Sequence, residues 1–213
     1  MGTRQRAGTL ARARLTMPRR ATREDVGAAA EVLARAFVDD PVVAQLIREG
    51  PNRTQRISRY FELECGLTLS GYGELWLDDD ALGAAIWRRP GGYPEPVPAQ
   101  LRMLPRYIRL FPREFVKASR AMSAVAKVHP KEPHWYLMAV GVVPEAQGQG
   151  HGAALLEPVL RRCDVERLPA YLEASTADNA RLYERLGFQA RDEVEMLPGV
   201  RVRPMWREPR QES

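Results

Sequence analysis

Apolar positions recur along this chain at two distinct periods, and the switches between them mark its elements. Val26, Ala29, Ala30, Leu33, Ala34 and Phe37 are spaced for one face of a helix. Thr22-Arg-Glu-Asp25 ahead of them supplies an N-cap and first-turn acids, and Asp39-Asp40-Pro41 is expected to end the segment. Ile57, Tyr60, Phe61, Leu63 and Leu67 predict a second helix over 55–69, broken by Gly71 and Gly73. The period then falls to two. Glu74 to Leu77 and Ala81 to Trp87 read as a hairpin around Asp78-Asp79-Asp80, and Leu15 to Arg19 as a short first strand.

Residues 90–133 are the least patterned stretch. Pro90, Pro94, Pro96 and Pro98 make a stiff connection, followed by two expected helices, Leu101 to Phe111 and Glu114 to Val128. Such an insertion either walls a binding site or decorates the surface. Beyond it, Trp135 to Val143 is a continuous apolar strand, and a glycine-rich loop leads into a helix over 153–162. That helix carries Leu155, Leu156, Val159, Leu160 and Cys163 on one face, with Pro158 expected to kink it. A strand over 170–174 follows. A helix from about Asp178 to Leu186 stops at Gly187, Phe188 begins another strand, and Val200 to Trp206 forms the last. The alternation predicts an α/β (α+β) fold with a mixed, mostly antiparallel sheet flanked by helices. One domain is expected over 15–213.

Net charge changes the picture less than its size suggests. The chain carries 32 Lys and Arg against 27 Asp and Glu, a formal +5. Six of the arginines lie in the first twenty residues, which contain no acid, so the remainder holds 26 basic against 27 acidic side chains, a net −1. Residues 1–14 thus read as a basic, solvated, disordered tail, and the body lacks the cationic excess of a nucleic-acid binder. No run approaches the ~20 apolar residues of a membrane span. The first twenty residues hold no apolar signal segment either, so a cytoplasmic protein is expected, acting as monomer or homodimer. Cys65 and Cys163 stand apart, and His129, His134 and His151 are too scattered to propose a metal. No metal is expected.

The chemistry is concentrated in Val140-Gly-Val-Val-Pro-Glu-Ala-Gln-Gly-Gln-Gly-His-Gly152. A strand feeding a glycine loop and a helix N-terminus makes an anion cradle, because glycine lets a phosphate approach backbone amides that the helix leaves unpaired. Two ligand families compete for it. Gly148-x-Gly150-x-x-Ala153, with Glu173 about twenty residues on, fits the dinucleotide fingerprint. Against that ligand, Pro144 to Gln147 separate the strand from the first glycine, and too few strands remain for a doubly wound sheet. The other ligand is coenzyme A.

Gln147-x-x-Gly150-x-Gly152 after Val140-Gly-Val142 resembles the acyl-CoA signature of the GNAT superfamily of N-acetyltransferases. Leu172-Glu-Ala-Ser175, Asn179-x-x-x-Tyr183-x-x-x-Gly187-Phe188 and Phe37-Val-Asp-Asp-Pro41 continue the likeness. Lys131-Glu-Pro-His-Trp-Tyr-Leu137 resembles the puromycin N-acetyltransferases and their bacterial relatives within it. The resemblance implies acetyl transfer from acetyl-CoA, as co-substrate, to a primary amine, by direct transfer between two splayed strands. It implies that the amides of Gln147, Gly148, Gln149, Gly150, His151 and Gly152 wrap the pyrophosphate. Val140, Gly141 and Val142 would line the pantetheine arm, with a bulge at Gly141, and a Val142-region amide would hold the thioester oxygen. By the same likeness Tyr183 is the general acid and Asn179 a polar cofactor contact. The usual base positions hold Tyr136 and Met138, which leaves Glu173, with His134, Glu132 and Asp40 behind it. The side chain of His151 is expected to be solvated. A non-catalytic acyl-CoA sensor on the same fold, and a protein or peptide amine as acceptor, stay open.

Overall fold

The computed structural model describes residues 17–210. The expected basic tail and the start of the expected strand at Leu15 lie outside the described residues. Two arginines, Arg19–Arg20 (β1), pair with the end of β2 (Gly73–Leu77). Between them lie α1 (Val26–Ala36), α2 (Pro41–Leu46) and α3 (Arg53–Leu67). Thr22 and Asp25 form the expected cap. The Asp25 carboxylate accepts from the Thr22 amide at 2.7 Å, and a short 3₁₀ turn at Arg23–Asp25 precedes α1.

Pro41 does not simply end a helix; it begins one. Asp40 adopts an extended N-cap conformation, and its Oδ1 accepts from the amides of Val42 and Val43 at 2.9 and 3.1 Å. Proline at the first helical position has no donor to lose. After β2 come β3 (Gly83–Arg88), α4 (Val97–Leu110), α5 (Phe115–Val128) and β4 (Trp135–Val142). The chain finishes as α6 (His151–Glu166), β5 (Ala170–Ala174), α7 (Ala177–Arg185), β6 (Gln189–Ala190), β7 (Val194–Leu197) and β8 (Val200–Arg207). β7 is absent from the sequence-based expectation.

The strand order is β1-β2-β3-β4-β5-β8-β6, with β7 on β8. Every pairing is antiparallel except β4 with β5. Helices cover both faces, as the alternation predicts. Leu33, Ile57, Phe61 and Ile86 pack α1 and α3 onto one face. Leu137, Leu155, Leu156, Val159, Leu172 and Met205 pack α6 onto the other. α5 packs through Ala121 against Leu197 and Val200 of the β7–β8 hairpin. Among the described residues no helix is long and apolar enough to cross a membrane.

Candidate active site

The sheet comes apart at one place. β4 and β5 pair only from Trp135 with Ala170 to Leu137 with Leu172, yet β4 runs on to Val142 and β5 to Ala174. Past Leu137 the β4 edge on that side has no strand partner. The Val143 amide donates across to Leu82 at 2.8 Å, and strand amides alternate sides, so those of Val142 and Val140 point into the opening. β4 also carries an irregularity here. Ile86 pairs with Ala139 and Trp87 with Leu137, so Met138 is the extra residue.

The expected bulge at Gly141 is therefore three residues out of place, and Gly141 pairs regularly with Ala84. Its role is contact. A methyl carbon there would stand 2.6 Å from Ala36 Cβ and 3.2 Å from Leu33 Cδ2, so the missing side chain lets α1 lie against the strand.

The loop after β4 leaves backbone amides without side-chain partners. Gly148 and Gly150 hold φ of +73° and +95°, the left-handed region open to glycine. Gly150 caps α6 with no side chain to satisfy its first-turn amides, whereas Thr176 Oγ1 accepts from the Asn179 amide at the start of α7. Gln147 and Gln149 turn their side-chain amides back on the chain, donating to the carbonyls of Val142 and Glu145, both at 3.1 Å. Gln147 to Gly150 are exposed.

His151 departs from expectation. Its ring is buried, and Nδ1 lies 3.0 Å from Asp78 Oδ2 while Asp78 Oδ1 accepts from the Leu82 amide at 2.6 Å. The side chain ties the helix start to the β2–β3 turn and is not solvated beside a ligand; only its backbone amide remains for the cradle. α6 begins two residues before the expected Ala153, which places the His151 and Gly152 amides in its first turn.

Acid and base candidates flank the opening from opposite faces of the sheet. Tyr183 on α7 belongs to the α6-side core with Leu172 and Ala174. It is nearly buried, and burial, then the Asp40 carboxylate, raise its phenol above the usual value, so it stays a proton donor at neutral pH. Asn179, one turn earlier, is exposed. Glu173 is the first β5 residue beyond the last β4 pair and points to the other face with Tyr171, since strand side chains alternate.

Of the reserve bases, Asp40 is occupied by its capping bonds and by Ser175 Oγ, which donates to Oδ2 at 2.5 Å. The Glu132 side chain is exposed, and its carbonyl faces His134 Nδ1 at 2.6 Å.

Glu173 sits in a cage that the pattern of the sequence does not disclose. His129, at the end of α5, places Nδ1 3.7 Å from Glu173 Oε1. The rings of Tyr93, Tyr136, Tyr171 and His134 all have centroids within 5.0 Å of His129. Burial, then the Glu173 charge, raises the Tyr136 and Tyr171 phenols. Tyr93 and His129 both come from the 90–133 insertion, which therefore lines the site. Among the described residues His129 Nδ1, Tyr171 Oη and Glu173 Oε1 are buried without a hydrogen-bond partner, whereas most buried polar atoms have one. No group of three or more His, Cys, Asp or Glu among the described residues is placed to hold a metal.

Residues 71–188 match the model of the Acetyltransferase (GNAT) family. An uncharacterized N-acetyltransferase of Schizosaccharomyces pombe is 28% identical over 217 residues, covering 92% of this chain and 84% of its own. A mycothiol acetyltransferase of Streptomyces griseus is 37% identical over 93 residues, 40% of this chain and 30% of that protein. A crystal structure titled histone acetyltransferase HPA2 and related acetyltransferase, from Corynebacterium glutamicum, superposes with a TM-score of 0.68 at 28% identity, covering 93% of this chain and 98% of that one. The polyamine N-acetyltransferase of Drosophila melanogaster shares the fold at a TM-score of 0.62 and 16% identity, over 90% and 98% of the two chains.

Proposed function

This chain belongs to the GNAT family of acetyltransferases, and on that premise we propose that it moves the acetyl group of acetyl-CoA directly onto a primary amine of a small molecule in the cytoplasm. The observation that carries the reading is the parting of β4 from β5 after Leu137 and Leu172, directly upstream of an uncapped glycine loop. An unpaired strand edge accepts an extended amide-bearing chain as it would an added strand. Unpaired first-turn amides suit a diphosphate. Gln147 to Gly152 hold the diphosphate, Val140 to Val142 line the arm, Asn179 contacts the cofactor from the rim, and a Val142-region amide steadies the thioester oxygen.

The amine must lose a proton before it attacks, and the departing thiolate must gain one. Glu173 takes the first on one face of the sheet; Tyr183 supplies the second on the other. Transfer is direct because neither thiol suits an acyl-enzyme: Cys65 and Cys163 are fully buried, and burial pushes both up to about 12.

Acetyl-CoA offered with a panel of amines, including puromycin, spermidine and a histone-tail peptide, should release thiol with at least one small amine. Preference for the peptide would move the acceptor class to proteins. Tyr183→Phe should lower turnover roughly 100- to 10,000-fold, in line with the loss of a general acid, and leave coenzyme A affinity within about twofold. A wild type that binds coenzyme A but turns over no amine would make the chain an acyl-CoA sensor.

A further inference from the structure

Three buried side chains form a line from the strand opening towards the surface, and their hydrogen-bond chemistry allows one arrangement of protons. The Glu132 carbonyl can only accept, so the His134 Nδ1 facing it at 2.6 Å carries hydrogen. Burial holds the His134 ring below the usual imidazole value, so the ring is neutral and its Nε2 is an acceptor. That nitrogen lies 3.2 Å from His129 Nε2, which must then be the donor. His129 Nδ1 is left facing Glu173 Oε1 at 3.7 Å, with neither atom otherwise bonded among the described residues. A lone pair facing a carboxylate favours the uptake of a proton between them, which a proton arriving at Glu173 supplies. The far end of the line opens into a pocket: His134 lines a space of about 160 Å³ with Arg89, Tyr93, Lys131, Glu132 and Tyr136.

We propose that Glu173, His129 and His134 form a proton relay that carries the acceptor amine's proton from the strand opening to solvent at this pocket. The inference rests on the acetyl-transfer reading and extends it to two histidines and an exit. The acceptor's ammonium gives its proton to the Glu173 carboxylate, leaving a neutral amine and a carboxylic acid. The acid passes the proton to His129 Nδ1, which becomes imidazolium while the carboxylate is restored. His129 then gives its Nε2 proton to His134 Nε2, the His134 imidazolium yields its Nδ1 proton to pocket water, and both rings, left in the opposite tautomer, turn over before the next cycle. The other titratable groups around the line are the phenols of Tyr93, Tyr136 and Tyr171, which burial and Glu173 keep protonated. Arg191 stacks on Trp206, whose ring centroid is 5.6 Å from that of His134.

Two readouts test the relay, the first without any acceptor. Imidazole ¹⁵N shifts of the full chain, titrated with pH, should show His134 neutral with hydrogen on Nδ1. Glu173→Gln should shift the titration of His129. A His134 with hydrogen on Nε2, or a His129 indifferent to Glu173→Gln, overturns the proposal. The second readout uses whichever amine the panel identifies. His134→Ala should lower kcat about 10- to 100-fold, with KM for acetyl-CoA unchanged, and small imidazoles should restore turnover in proportion to their basicity. His134→Gln, which fills the space without a relaying ring, should be slow and insensitive to imidazole. A folded His134→Ala that binds coenzyme A normally and keeps wild-type kcat, or that imidazole fails to rescue, also overturns it. Failure of the functional reading looks different: a wild type inert towards every amine.

Discussion

Gly152 separates what the fold needs from what the ligand needs. It sits at the second position of α6 with an ordinary negative-φ backbone, and a methyl carbon there would lie 3.5 Å from Leu182 Cδ2 and 3.8 Å from Val142 Cγ2. Those are normal contact distances, so alanine fits the protein. Replacing a helical glycine with alanine removes conformational entropy from the unfolded chain and should stabilise by about 0.5–1 kcal/mol. For a chain of this length that raises Tm by roughly 1–4 °C.

A diphosphate in the proposed cradle would respond differently. If it approaches the Gly152 amide as the cradle requires, the methyl group displaces it and removes a charge-assisted hydrogen bond of about 1.5–3 kcal/mol. That corresponds to ~10- to 150-fold in Kd for coenzyme A. Gly150→Ala has the same sign on binding and the opposite sign on stability, because φ of +95° costs an alanine roughly 1–2 kcal/mol. Thermal melting of the free proteins and calorimetric titration with coenzyme A measure both quantities. A Gly152→Ala protein that melts higher and binds coenzyme A like wild type would refute the cradle, because no defect of folding would be left to hide it.

Gly141→Ala tests how closely α1 packs on β4: the 2.6 Å approach to Ala36 Cβ should cost about 1–3 kcal/mol in urea unfolding, and Ala36→Gly in the same chain should recover most of it. Cys65 and Cys163, buried and pushed up to about 12, should ignore a thiol-specific disulfide reagent in the native protein and react only on unfolding. Burial raises the phenols of Tyr60, Tyr107, Tyr136, Tyr171 and Tyr183 above their unfolded value. The folded state therefore binds more protons than the unfolded one in that range, and the urea midpoint should fall as pH rises through about 10, the phenol value of the unfolded chain. A midpoint unchanged to pH 11 would count against that assignment.

Elements with a strong period are legible in the sequence, and the two that are not have identifiable signals. Pro41, expected to end a helix, starts one because Asp40 precedes it. Asp-Pro reads as a stop when the preceding helix is in view and as a start when the following one is, and α2 is too short to show its own period. β7 is four residues long, yet Leu197 pairs with Val200 across Pro198-Gly199, and Gly199 holds φ of +76°. A Pro-Gly dipeptide between apolar residues is a turn signal strong enough to find that hairpin. The misplaced bulge has a tertiary cause. A glycine in a strand signals either a bulge or a close approach, and only the position of α1 decides which.

The glycine loop lies in a contiguous segment, and Tyr183 and Glu173 are reached from the sequence only through the family resemblance of their segments. Neither route discloses the partners of Glu173. His129 ends a helix in the least patterned stretch, 44 residues before Glu173 in the chain, and no local period connects the two. What joins them is packing: α5 docks Ala121 on the β7–β8 hairpin, and its last turn is thereby carried over the face of β5 where Glu173 points. His134 reaches the same place from the start of β4, through the tautomer that the Glu132 carbonyl imposes. A scattered set of histidines in sequence thus becomes an ordered line in space because helix, hairpin and strand each fix one member. Loosening the α5 contact at Ala121 should consequently displace His129 from Glu173 before it disturbs the glycine loop, which leads into α6 on the other face of the sheet.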